Sequence, residues 1–308
     1  MLDNLFLIIA VFATFSGITL PRALSQQPWI VFPAHHLAEP TNVGVLPKPV
    51  FRDTPEKIDT DLGPQLSAKS GIVLDAVSGQ VLYQKDPDVV LPIASITKLV
   101  TAYTAAQIIT NWEETYTLQY SDIVVGGSQF AAGVGDTFTK HDLLKAALVG
   151  SINQAAQAIA HSTSLSDEDF KAAMNDTATR LGMTNSSFEE PTGLSNQDQS
   201  TARDLALLLR SISAQPLLME PMSQSEHKML NGNNEITLRT TNDLIRDHAA
   251  DIVAGKTGFT DAAGNCLATI AEQDGHQLLI VVLGAPDDTS RFTDTQALVE
   301  WTYSHYQW

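Results

Sequence analysis

Ser95 and Lys98 stand three residues apart just after Pro92, at the start of a stretch, 95–109, that reads as a helix. Apolar Ile96, Leu99, Val100, Tyr103 and Ile108 recur there near the helical period. Residues three apart share a helix face, so the two polar side chains are neighbours. A neutral lysine beside a serine can take its hydroxyl proton, provided burial or a second cation lowers the amine's pKa. The chemistry would be a serine nucleophile activated without a histidine. Taken alone, the pair also reads as a helix cap followed by a solvated lysine.

Two further polar clusters follow. Ser151 and Asn153 separate the amphipathic stretch Lys140 to Val149 from the apolar stretch Ala155 to Ala160, at a turn between helices. Lys256, Thr257 and Gly258 lie in a run, 252–260, that reads as an edge strand, where Gly255 and Gly258 permit close approach of another backbone. A peptide can pair along such an edge. A phosphate-binding loop is excluded: position 250 is Ala, and a strand rather than a helix follows Thr257.

Taken together, these clusters resemble the Ser-x-x-Lys, Ser-x-Asn and Lys-Thr-Gly motifs of the active-site-serine, penicillin-recognising enzymes. The flanking text is similar to the low-molecular-mass penicillin-binding proteins, the serine-type D-alanyl-D-alanine carboxypeptidases. It includes Phe188-Glu-Glu-Pro-Thr-Gly-Leu194, Ser200-Thr-Ala-Arg-Asp-Leu-Ala206, Thr241-Asn-Asp-Leu244 and Lys256 to Leu267. The resemblance runs from about Leu66 to the C-terminus. It implies a β-lactamase/transpeptidase-like α/β (α+β) fold: a five-stranded antiparallel sheet flanked by helices, plus an all-helical lobe, with the site between them.

The resemblance also assigns roles. Ser95 would attack the penultimate D-Ala carbonyl of a peptidoglycan stem peptide, with Lys98 as its base, and Ser151 with Lys256 would relay the proton to the departing D-Ala amine. Asn153, Thr257 and Gly258 would align the substrate. The N–H groups of Ser95 and Phe259 would form the oxyanion hole. Arg291 would hold the terminal carboxylate, or else pair at the surface with Asp288 or Asp294. β-Lactam antibiotics would acylate Ser95, and no cofactor or metal is implied. Two departures stand out: Gln154 where relatives usually place Asp, and Glu190 where they usually place Asn. The latter raises a rival to the carboxypeptidase reading, a class A-like β-lactamase in which Glu190 activates the deacylating water; as a surface or structural residue, Glu190 leaves the carboxypeptidase reading standing. An endopeptidase that cuts peptidoglycan crosslinks, and a non-catalytic wall-binding module, are the remaining alternatives.

The rest of the 308-residue chain bounds this reading. A formal charge of −17 with no basic run excludes nucleic acid as a partner. Cys266 is the only cysteine, so an intrachain disulfide is impossible, and its apolar strand suits a buried thiol. Eight scattered histidines show no metal-ligand spacing, and a Gly-x-Ser-x-Gly elbow is absent. Leu5 to Leu20 is almost wholly apolar and precedes Ala23-Leu-Ser25, so residues 1–25 read as a signal peptide or N-terminal anchor. Asp3 stands where a positive region belongs, leaving cleavage open. Membrane attachment would come through that segment alone, and export to the periplasm or the outer face of the cytoplasmic membrane follows either way. Seven of the fourteen prolines fall between Gln26 and Pro64, so 26–65 reads as an extended linker to a catalytic domain at 66–308.

Elements follow from pattern and caps. Gly71 to Val77 and Gln80 to Lys85 read as a hairpin around Ser78-Gly79, and Cys266 to Gln273 and Gln277 to Leu283 as another around Asp274-Gly275. Helices are expected over 167–181 behind Ser166, over 201–212 and over 290–303.

Overall fold

Strands from the first and last parts of the described residues meet in one sheet, and the segment between them forms a helical lobe beside it. The computed structural model describes residues 54–308. The expected N-terminal segment 1–25 and most of the expected linker lie outside the described residues. Strand β1 (Glu56–Lys57) comes first, then β2 (Ser70–Asp75) and β3 (Val81–Lys85), the expected hairpin. A short β4 (Leu91–Pro92) leads through a 3₁₀ turn, Ala94–Ile96, into helix α1 (Thr97–Ala106).

The helical lobe opens with β5 (Thr115–Thr117) and β6 (Thr137–Thr139), followed by α2 (Lys140–Leu148), α3 (Asn153–His161) and α4 (Asp167–Leu181). Side chains cap where the sequence offers them. Thr139 accepts the N–H of Asp142, Ser166 that of Asp169, and Gly182 ends α4 at φ +78°, a conformation that favours glycine. Strand β7 (Gln199–Ser200) pairs with β4, and Thr201 caps α5 (Ala202–Ser213), which α6 (Pro216–Ser223) follows. A hairpin, β8 (Glu226–Asn231) and β9 (Asn234–Arg239), and the one-turn α7 (Asp243–Arg246) complete the insertion.

The chain then returns to the sheet with β10 (Ile252–Thr260), β11 (Gly264–Gln273) and β12 (His276–Ala285), and ends with α8 (Asp288–His305) and β13 (Tyr306–Gln307). The sheet order is β10-β11-β12-β2-β3, antiparallel throughout, which is the five-stranded sheet expected. Because side chains alternate across a strand, β2 sends Ile72 and Leu74 to one core and Val73 to the other. Ile72 and Leu74 join Leu99, Leu143, Leu208 and Ile212 in the larger core under the helical lobe, while Val73 joins Ile280, Val282, Leu298 and Val299 under α8. Strand β10 is left at the sheet edge.

Two expectations change. Ser95 sits in the 3₁₀ turn that precedes α1, not in the α-helix itself. The last residues of the expected linker are packed: β1 pairs with β13, Asp61 accepts the indole N–H of Trp301 at 2.8 Å, and Tyr83 donates to the Pro64 carbonyl at 2.8 Å. Those partners lie up to 251 residues away (Glu56 to Gln307), out of reach of any local reading of composition. Among the described residues, no helix is long and apolar enough to cross a membrane.

Candidate active site

Three elements converge on one cleft of about 290 Å³: the turn before α1, the turn between α2 and α3, and the edge strand β10. Ser95, Ser151, Asn153, Thr257, Gly258, Phe259 and Arg291 all line it, with Lys98 and Lys256 beneath, each only 1% exposed. Every residue to which the resemblance gives a role in the carboxypeptidase reaction is therefore brought to one place.

The turn carrying Ser95 is strained. Ala94 has φ +49°, a left-handed conformation that a non-glycine residue adopts only when its surroundings impose it. Two glycines from other elements do the imposing. A Cβ on Gly193 would sit 2.0 Å from the Ala94 carbonyl oxygen, and one on Gly258 would sit 2.8 Å from that of Ile93 and 3.1 Å from the Ser95 nitrogen. Backbone thus packs on backbone from both sides, and Asp198 accepts the Ile93 N–H at 3.1 Å. Ser151 is held in the left-handed region as well, at φ +55°.

Lys98 Nζ lies 2.8 Å from Ser95 Oγ, 2.6 Å from Asn153 Oδ1 and 2.7 Å from the Thr192 carbonyl. A neutral amine has two hydrogens and one lone pair. Asn153 Oδ1 and the Thr192 carbonyl can only accept, so they take the hydrogens and the lone pair is left facing the Ser95 hydroxyl. Burial drives Lys98 down to about 7, against the opposing pull of the acidic residues Glu190 and Asp198. Lys256 donates to Ser151 Oγ at 2.7 Å and to the Thr257 carbonyl at 3.0 Å. Burial, then the positive charges of Lys98 and Arg291, push it well below the usual lysine range.

Asn153 does more than face a ligand. Its Nδ2 donates to Gly126 at 2.9 Å and its backbone N–H to Ser128 at 3.0 Å, tying Lys98 to the 126–128 loop. One Nδ2 hydrogen remains for a ligand. Thr257 exchanges a hydroxyl hydrogen bond with Thr241. Arg291, in the first turn of α8, is 6% exposed, donates to the Gly258 carbonyl at 3.1 Å and pairs with Asp288. The Asp288 pairing that the sequence offered does form, yet the guanidinium is buried at the cleft rather than out on the surface. Asp294 instead accepts from Ser67 and Ala68. Glu190 does not line the cleft; it borders a separate hollow beside Asp167 and Lys171. Cys266 is buried, with its thiol pushed up to about 11 by desolvation.

The sequence model of the D-alanyl-D-alanine carboxypeptidase peptidase family matches residues 57–287. The chain belongs to that family. It is accordingly a serine-type peptidase, a hydrolase of the penicillin-binding group. It is 36% identical to a D-alanyl-D-alanine endopeptidase of Pseudomonas aeruginosa over 82% of both chains. It is 32% identical to a D-alanyl-D-alanine carboxypeptidase of Escherichia coli, over 79% of this chain and 63% of that protein. Among solved structures, penicillin-binding protein D2 of Listeria monocytogenes with ampicillin bound superposes with a TM-score of 0.70 at 31% identity, covering 78% of this chain and 98% of that one.

Residues that the sequence reading gave no role also shape the site. Thr192 and Gly193 fall inside a stretch that carried the resemblance, yet their contacts with Lys98 and Ala94 are tertiary. Thr241 reaches Thr257 from the segment before α7, and Gly127 and Ser128 come from a loop without periodicity. Glycine in a turn is a local signal, and it marks Gly193 and Gly127, whose φ are +83° and +65°.

Gly193→Ala tests the packing of the Ser95 turn. With φ positive and a 2.0 Å clash against backbone, stability in urea unfolding should fall by at least about 2 kcal/mol, and acylation by penicillin should slow by roughly 30-fold or more. An alanine variant that acylates normally would show that the turn does not depend on this contact.

Proposed function

We propose that this peptidase hydrolyses the D-alanyl-D-alanine bond of peptidoglycan stem peptides through an acyl-enzyme on Ser95. One observation carries the reading: Ser95 Oγ lies 2.8 Å from an amine that burial holds at about 7, so a base is present at neutral pH. As Ser95 Oγ bonds to the carbonyl carbon, its proton passes to Lys98 Nζ. The C–N bond then breaks, and the departing amine takes a proton through Ser151 and Lys256, whose Oγ and Nζ are 2.7 Å apart. Water attacks the ester to release the shortened peptide and free Ser95.

The N–H groups of Ser95 and Phe259 serve as the oxyanion hole, supported by the close packing of β10 on the Ser95 turn. Thr257, Gly258 and the remaining hydrogen of Asn153 align the substrate backbone along the free edge of β10. Arg291 holds the terminal carboxylate, and β-lactams acylate the same serine. Peptidoglycan as substrate places the work outside the cytoplasm. Glu190 is not a deacylation base, because its carboxylate is turned into its own loop by the N–H groups of Thr192, Leu194 and Ser195.

A second reading, cleavage of crosslinks, is favoured by the 36% identity with an endopeptidase. It uses the same acylation step with a larger leaving group. Comparing kcat/KM of the wild type on a pentapeptide and on a crosslinked dimer decides between the two.

Ser95→Ala should abolish both penicillin labelling and turnover, with a fall of at least about 10⁴-fold. An intact-mass spectrum that still shows a penicilloyl adduct would remove Ser95 as the nucleophile.

Arg291→Ala should lower kcat/KM for peptides ending in a free D-Ala carboxylate by roughly 30- to 1,000-fold. That corresponds to about 2–4 kcal/mol for a lost charge-assisted contact. The amidated peptide should lose much less. Equal losses on both would mean that Arg291 supports the fold through Gly258 instead of binding substrate.

A further inference from the structure

Two carboxyl groups beside the site take no part in the chemistry above. Glu190 accepts the N–H groups of Thr192 at 2.6 Å, Leu194 at 2.7 Å and Ser195 at 3.2 Å, and so forms the hub of the turn from 190 to 195. Asp198 is fully buried, and its Oδ1 accepts the N–H groups of Glu189 at 2.7 Å and Glu190 at 3.3 Å. Its Oδ2 is buried as well, and no donor reaches it. An ionised carboxylate oxygen left so would carry the full penalty of a desolvated, unpaired charge.

The neighbour that interacts with Asp198 is the Glu190 carboxyl, which has no hydrogen to offer unless a proton is added. Burial and Glu190 push Asp198 up, to about 8, whereas hydrogen bonds from Asp198 and the turn hold Glu190 down despite its burial. A proton on Asp198 Oδ2 donating to the Glu190 carboxylate satisfies both groups at once.

The turn held by this pair touches the reacting residues at three points. The Thr192 carbonyl accepts from Lys98 Nζ at 2.7 Å, Gly193 abuts Ala94 and the Ser95 nitrogen, and the Asp198 carbonyl accepts the Ile93 N–H. We propose that Glu190 and Asp198 are positioning residues that share one proton, hold the 190–198 segment against Ser95 and Lys98, and release it when that proton is lost in alkali. The proposal rests on Ser95 and Lys98 as nucleophile and base.

Other charged groups around the pair do not replace the proton. Lys98 faces it from α1 behind Thr192. Lys171 of α4 is engaged by Glu189 at 3.0 Å, and Asp167 at the start of α4 borders the adjoining hollow. Asp204 of α5 accepts from Asn185 and Ser186 ahead of the segment. The sequence departure at position 190 gains a physical meaning here. An asparagine amide would give Asp198 a donor at every pH, whereas glutamate makes the contact depend on a proton.

Asp198→Asn tests this. Its Oδ1 keeps the two backbone bonds, and its Nδ2–H replaces the shared proton with one that cannot titrate. Second-order acylation by a labelled penicillin is measured from pH 6 to 10 on the full chain. The wild type should lose rate above about pH 8, while the variant keeps its rate and its alkaline limb moves up by at least about one unit. Asp198→Ala should lose roughly 10- to 100-fold at every pH, mainly in the acylation rate constant. An Asp198→Asn enzyme with the wild-type alkaline limb would overturn the proposal. Titration of the wild type labelled with ¹³C at the aspartate carboxyl carbons needs no variant and does not depend on the role of Ser95. One aspartate should titrate far above the others; an enzyme in which all aspartates titrate below about pH 6 also overturns it. A wild type that never acylates would fault the reading of Ser95 instead, and the carboxyl titration would still stand.

Discussion

Two lysine amines are buried beneath one cleft, where burial disfavours the charge on each and the charge of Lys98 further disfavours that of Lys256. An ammonium taken out of water is heavily penalised, and a second like charge nearby adds to the penalty. The surroundings of Lys98 and Lys256 supply only neutral partners: an amide oxygen, two carbonyls and two serine hydroxyls. The acidic residues that pull the other way, Glu190 and Asp198, are not among the hydrogen-bond partners of Lys98. The network therefore favours a neutral amine with its lone pair directed at Ser95, and the nucleophile follows from that constraint. Ser151, between the helices, links Lys256 to the cleft that Lys98 serves.

Holding such a network demands rigid backbone, and the fold supplies it by letting main chains touch. Gly193 and Gly258 approach the Ser95 turn from the lobe side and the sheet side, leaving Ala94 no relaxed alternative. Strand β10 stays free along its outer edge because the sheet ends there, so the same strand that presses on Ser95 can also align a peptide. Arg291 belongs to this arrangement through the Gly258 carbonyl, which couples the carboxylate-binding end of the cleft to the Ser95 end.

Much of this was legible in the sequence where physics is local. The Ser166 cap and Gly182 stop bound α4 at Asp167–Leu181 as expected, and the strand expected over 252–260 matches β10 residue for residue. The first element after Pro92 was read as one helix because its apolar period runs unbroken. The 3₁₀ turn at Ala94–Ile96 arises from tertiary pressure on Ala94, which no pattern in that stretch encodes. The hairpin β8–β9 escaped notice because it is mostly exposed, with only Met229 and Leu238 buried, so alternation had little core to report. The site residues themselves were found by their motifs. The interlock of Glu190 with Asp198 was not, since two acidic residues in a polar loop read as solvated until burial places them face to face.

The titration of Lys98 in the free enzyme decides whether Ser95 has a neutral base beside it. Side-chain ¹⁵N NMR of lysine-labelled protein, assigned with a Lys98→Ala variant, follows the amine across pH. Lys98 should lose its proton at about 7, leaving a neutral amine beside Ser95 under ordinary conditions. A Lys98 that stays cationic up to the usual range near 10 would contradict it, because the serine would then have no base.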